Sequence, residues 1–254
     1  MRLRIKEANI SKTNLGKCRL CLKDSVLVRS HIIPEWCYDY LYDEKHRTFM
    51  VSTIKETKTR IVHRGIREKL LCVKCEGKLS KYETYARELI FGRVPIKIKQ
   101  EKYCYVLTGI DYPKLKLFQL SIIWRSSISQ LPEFKGVELG PHQETIRNML
   151  FMDDPGSWLD YGCTMAVLLN DDGKLLKEIL IVPEKLKIDG IKCYRFIFAG
   201  CTWIFVITSK AEKFRFTKLF LHEDGKMIML RIPAGKTELF IEMGWELFLQ
   251  GKTK

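Results

Sequence analysis

The chain lacks any apolar run long enough to serve as a leader core or a membrane span. The opening stretch MRLRIKEANI is broken by charges, and nowhere do the roughly 18 continuous apolar residues of a spanning helix occur. These absences lead us to expect a cytoplasmic protein with no membrane partner. Internal repeats and low-complexity segments are missing too, which argues against a solenoid or a linker-rich array. An even cysteine set is also absent. Nine cysteines without an export signal read as thiols or metal ligands rather than as a disulfide framework.

What is present is a globular composition with an uneven charge. With 254 residues and 46% hydrophobic content, the chain can bury a full core in one large or two small domains. Of its net charge of +14, residues 1–102 carry +12, from 24 Lys and Arg against 12 Asp and Glu. A positive field concentrated in this way attracts polyanions, and Lys and Arg contacts to phosphate supply most non-specific nucleic-acid affinity. A generic solvated basic surface is the plainer alternative.

Composition also shifts along the chain. Up to about residue 92 it is polar, interrupted and cysteine-bearing; after VPIKIKQEK it is rich in aliphatic and aromatic runs. We therefore expect two domains, residues 1–100 and residues 101–254, in an α+β fold. In the second, YCYVLTGI reads as a strand, and Leu117, Leu120, Trp124 and Ile128 fall at helical spacing. Pro141 opens a further helix with Ile146, Met149 and Leu150 on its apolar face. CTMAVLLN, the turn NDDG and LLKEILIVP predict a hairpin. YRFIFAG, TWIFVIT, KLFLH and MIMLRIP read as further strands, and ELFIEMGWELFLQ as an amphipathic helix.

The strongest local signal is a pair of matched motifs, Cys18-x-x-Cys21 and Cys72-x-x-Cys75, 50 residues apart. Two short-spaced pairs suit a tetrahedral structural zinc site, each pair offering two sulfurs to one ion. The competing redox reading expects a single motif near a βαβ pattern, which is missing. Cys37, Cys104, Cys163, Cys193 and Cys201 stand alone and read as small buried hydrophobes.

Between the knuckles runs DSVLVRSHIIPEW, a short apolar strand ending in Arg29, Ser30, His31 and Pro34. TRIVHRGI, residues 59–66, is a second candidate strand leading to KLLC. Leu79, Tyr82, Tyr85, Ala86 and Leu89 then mark a helix. The predicted order is strand, histidine, insertion, strand, knuckle, helix.

The two Cys-x-x-Cys motifs, the strand-terminal His-Ile-Ile-Pro and the Leu-Cys-x-x-Cys followed by a polar residue resemble the HNH endonucleases with a four-cysteine zinc, in particular a bacterial group with a Ser-His-Ile-Ile-Pro element. The resemblance covers residues 18 to about 90 and implies a zinc-clamped ββα-metal domain that hydrolyses phosphodiesters. It carries the family's general base onto His31. The family's metal-ligand positions fall on Ser30, where an Asp is usual, and on Glu76, where Asn or His is usual. By this resemblance Glu76 would hold Mg²⁺ or Mn²⁺, and Glu83, two turns on along the same face, would support it or simply lie at the surface. Arg29, Arg64, Arg67, Lys69, Lys74 and Lys78 are candidate nucleic-acid contacts. His46, His63, His142 and His222 lack a comparable context. The partner implied is DNA, with RNA, or binding without catalysis, as alternatives. For the second part, a protein partner or a regulatory role is expected, and phage defence is suggested by the family alone.

Overall fold

The computed structural model describes residues 14–45, 47–50, 60–63 and 65–233. Arg64, His46 and the helix expected over residues 238–250 lie outside them. The described chain is a mixed α+β fold. Strands β1 (Leu15–Lys17), β2 (Asp24–His31) and β5 (Arg67–Cys72) form a small antiparallel sheet in the order β1-β2-β5, with a separate ribbon of β3 (Arg47–Met50) and β4 (Arg60–His63). Helix α1 (Val73–Ile90) follows β5 directly.

The second strand of the ββα unit is therefore not the expected 59–66. Residues 60–63 pair with β3, and it is 67–72 that runs beside β2, with Leu27 opposite Cys72 and His31 opposite Arg67. Gly65 separates the two strands. Its φ of 67° is the left-handed region, and a Cβ there would come within 2.8 Å of the Tyr38 ring, so only glycine lets the chain turn at that point.

Beyond α1 come β6 (Lys97–Gln100), β7 (Cys104–Thr108), α2 (Tyr112–Ile128) and α3 (His142–Met152), then β8 (Cys163–Leu169), β9 (Ile181–Ile188), β10 (Ile191–Phe198), β11 (Cys201–Val206) and β12 (Met227–Pro233). The last five strands join β6 and β7 in a seven-stranded sheet of order β6-β7-β12-β8-β11-β10-β9, in which β12 and β8 run parallel. Two expectations are corrected here. The hairpin after NDDG shrinks to a single bridge between Leu169 and Leu175, because β9 pairs with β10 instead. KLFLH, residues 218–222, begins inside a short 3-10 turn, Thr217–Leu219, and forms no strand.

Helix α2 is buried almost throughout, polar residues such as Lys116, Gln119 and Arg125 included, because it is packed on several sides. Asp111 caps it by accepting from the Lys114 N–H at 3.0 Å, and Pro113 sits in its first turn, where no N–H is needed. It packs on α1 and α3, and Phe118 meets Trp36 on one side (centroids 6.4 Å apart) and Trp203 of the large sheet on the other (5.9 Å). One apolar cluster therefore runs without a break from Leu20 and Ile32 through Leu79 to Trp203 and Met229.

Candidate metal centre and the polar cluster beside it

The four knuckle cysteines converge. Their sulfurs all lie within 4.8 Å of one another, and Cys21 Sγ is 4.0 Å from Cys72 Sγ. Tetrahedral zinc with Zn–S bonds of about 2.3 Å spaces its sulfurs by about 3.8 Å, so this group could hold a zinc ion. Local backbone builds it. Leu22, at a φ of 61°, closes the first knuckle by donating its N–H to Cys18 O at 2.9 Å, and Arg19 N donates to Leu70 O at 3.0 Å, fastening that knuckle to β5. Cys72 caps α1, which places Cys75 in the first turn. Burial raises the Cys18 thiol, but backbone N–H groups of Cys21, Cys72 and Leu20 outweigh it and bring it down to about 7, favouring the thiolate that a metal needs. Cys75 is pushed up by burial and by its neighbouring thiols. Among the described residues this is the one group of three or more metal-type ligands.

Beside it, at the far end of β2, lies a second cluster. Ser30, fully buried, donates from Oγ to Glu76 Oε2 at 2.6 Å. Burial raises the Glu76 carboxyl, with Arg125 and the Ser30 hydroxyl pulling the other way. His31 Nε2 is 3.8 Å from Glu35 Oε2, the residue that opens the short 3-10 turn after β2. Glu83 is no surface residue. Its Oε1 is 2.6 Å from Arg125 Nη2, an ion pair with a fully buried guanidinium.

Arg125 organises this cluster and was not foreseen. Fully buried on α2, it donates from Nη1 to the His31 carbonyl at 2.6 Å and from Nε and Nη2 to the Ser121 carbonyl and hydroxyl, each at 3.3 Å. The available signal was a lone arginine inside SIIWRSSI, since a cation on the buried side of a helix has to find polar partners.

The expected phosphate contacts fall in two places. Arg29, Arg67 and Lys69 lie on β2 and β5 near His31, Arg29 and Lys69 opposite each other, and Lys69 donates to Asn14. Lys74 and Lys78 lie on the side of α1 turned away from Glu76, as a two-residue offset on a helix requires. They border a groove of about 1050 Å³ with Lys23 and Lys81, floored by Cys21, Cys72 and Cys75. Lys78 is committed there, 2.9 Å from Asp153 Oδ2 and donating to the Phe151 carbonyl.

None of the known protein families, curated proteins or solved structures matches this chain. No helix among the described residues is long and apolar enough to cross a membrane.

Proposed function

We propose that the chain is an HNH-type endonuclease that hydrolyses phosphodiester bonds in DNA, with Zn²⁺ in the four-cysteine group as scaffold and a divalent cation at Glu76. The observation that carries this reading is the 2.6 Å bond from Ser30 to Glu76, which joins the end of β2, where His31 sits, to the first turn of α1. His31 acts as general base, taking the proton of the attacking water. The Glu35 carboxylate, 3.8 Å from His31 Nε2, lies where it would orient the ring. Mg²⁺ or Mn²⁺ held at Glu76 would supply charge stabilisation for the scissile phosphate and the leaving 3′ oxygen. Glu76 and Glu83 face one Arg125, which leaves one negative charge for such an ion when both are ionised, while any further ligands would have to come from water and the phosphate.

A second reading, a zinc module that binds nucleic acid without cutting it, is favoured by Arg125, since a carboxylate flanked by a buried guanidinium has less need of a cation. Plasmid nicking with Mg²⁺ or Mn²⁺ tests the choice. Wild-type protein should nick, chelation should stop it, and His31→Ala and Glu76→Ala should each be inactive while retaining DNA binding. A wild type that binds DNA yet cuts neither DNA nor RNA with either ion supports the second reading, and unimpaired cleavage by Glu76→Ala removes Glu76 from the site.

A further inference from the structure

On the face of the seven-stranded sheet that α1 and α2 cover lies a cavity of about 360 Å³ with an almost wholly apolar lining. Its walls are Leu89 of α1, Leu115 of α2, Met165 and Val167 of β8, and Met229 of β12, and Ile98 of the edge strand β6, 60% exposed, stands at its mouth. Its size falls in the range of small-molecule sites. Left to itself, so much apolar surface is costly, because a cavity forgoes both burial and dispersion contacts.

One step beyond the lining residues along β12 stands a cation. Along β12, Met227, Met229 and Arg231 alternate with the pleat and share one face of the sheet. In the register, Met229 lies opposite Met165 and Tyr105, and Arg231 lies opposite Val167, so Arg231 is the next residue in a row whose preceding members line the cavity. Its guanidinium sits over the ring of Tyr105, another lining residue, with 5.2 Å to the centroid. Among the described residues its buried Nε has no hydrogen-bond partner, and Nη1 reaches the Glu101 carbonyl at 3.5 Å. An arginine fork with an unused buried donor, at the end of an apolar slot, is suited to a carboxylate on an apolar tail.

We propose that this cavity binds a small amphiphile of the fatty-acid class, its tail between the sheet and α1 and α2 and its carboxylate on Arg231. The site is separate from the four-cysteine group and from His31, and it does not depend on the nuclease reading.

Calorimetric titration of the whole protein with decanoate and with decanol, both below micelle formation, tests it. Decanoate should bind wild-type protein about tenfold or more tighter than decanol, the worth of a charge-assisted hydrogen bond. Arg231→Gln should reduce decanoate to the affinity of decanol and leave decanol unchanged. Val167→Phe, which fills the slot, should abolish both. Equal binding of the two compounds to the wild type, undiminished decanoate binding by Arg231→Gln, or no heat with decanoate would each overturn the proposal. Because Arg231 is only partly buried, its variant remains informative if Val167→Phe fails to fold.

Discussion

Two buried cations illustrate how differently a charge can be accommodated inside one core. Arg125 has a carboxylate, a peptide carbonyl and a serine around it, so its removal strands Glu83 and the His31 carbonyl together. We expect Arg125→Met to lose about 3–5 kcal/mol in denaturant unfolding. The double variant Glu83→Leu/Arg125→Met should recover much of that loss, because the stranded charge goes with it. A double variant no more stable than Arg125→Met would show that the pair is not the origin of the loss. Lys116 has no carboxylate partner of this kind. It donates to the backbone carbonyls of Asp160 and of Tyr161, and burial brings its ammonium down to about 8. Its folded pKa lies below its unfolded one, so the native state bears a penalty that is complete below about pH 8 and is relieved as pH rises from there toward the ordinary lysine value. Relative to Lys116→Met, the wild type should therefore gain on the order of 3 kcal/mol between neutral pH and about pH 10. Parallel unfolding series at the two pH values measure this; a constant gap would mean that Lys116 keeps its ordinary pKa.

At the scale of elements, legibility followed how local each signal was. The cysteine motifs were readable because a knuckle is defined within a few residues, and their convergence followed from the need to complete a tetrahedron. Helices α1, α2 and α3 were readable from apolar spacing, and β2 from the run ending at His31. Apart from KLFLH, which begins inside a 3-10 turn and forms no strand, the misread elements concern which strand pairs with which. Residues 59–66 and 67–72 look alike as strands, and only the turn at Gly65, enforced by the Tyr38 ring from a distant part of the sequence, sends the first to β3 and the second to β2. Likewise β8 could not announce that its neighbours are β11 and the much later β12. The polar cluster was half legible. Ser30, His31 and Glu76 could be placed by resemblance to a short motif, whereas Arg125 reaches them from α2, 94 residues after His31, through a contact that no local pattern encodes.

For the whole molecule, that reach has a consequence. Arg125 lies in the part that composition alone sets apart after residue 100, yet it bonds to β2 and pairs with α1. Around it, Trp36, Phe118 and Trp203 form a chain of aromatic contacts from the cysteine-bearing part to the large sheet, inside one continuous apolar cluster. A small zinc unit that folded by itself would lose its metal and melt separately, leaving the sheet intact. Here the face of α1 that packs on α2 is shared core, so loss of the metal should spread. Structural zinc contributes folding free energy directly, and we expect purified protein to hold about one zinc per chain and each of Cys18→Ser, Cys21→Ser, Cys72→Ser and Cys75→Ser to lose it. Thermal unfolding after chelation should then shift as a single transition, with near-ultraviolet circular dichroism, dominated by the tryptophans, and far-ultraviolet signal, dominated by helix and sheet, moving together. A fragment of residues 1–100 should fail to fold, since Trp36, Leu79 and Tyr85 would be left without α2 and Arg125. Two separated transitions, or a soluble zinc-loaded fragment with native helix content, would show instead that the cysteine-bearing part is an independent domain and that Arg125 fastens two finished units rather than completing one.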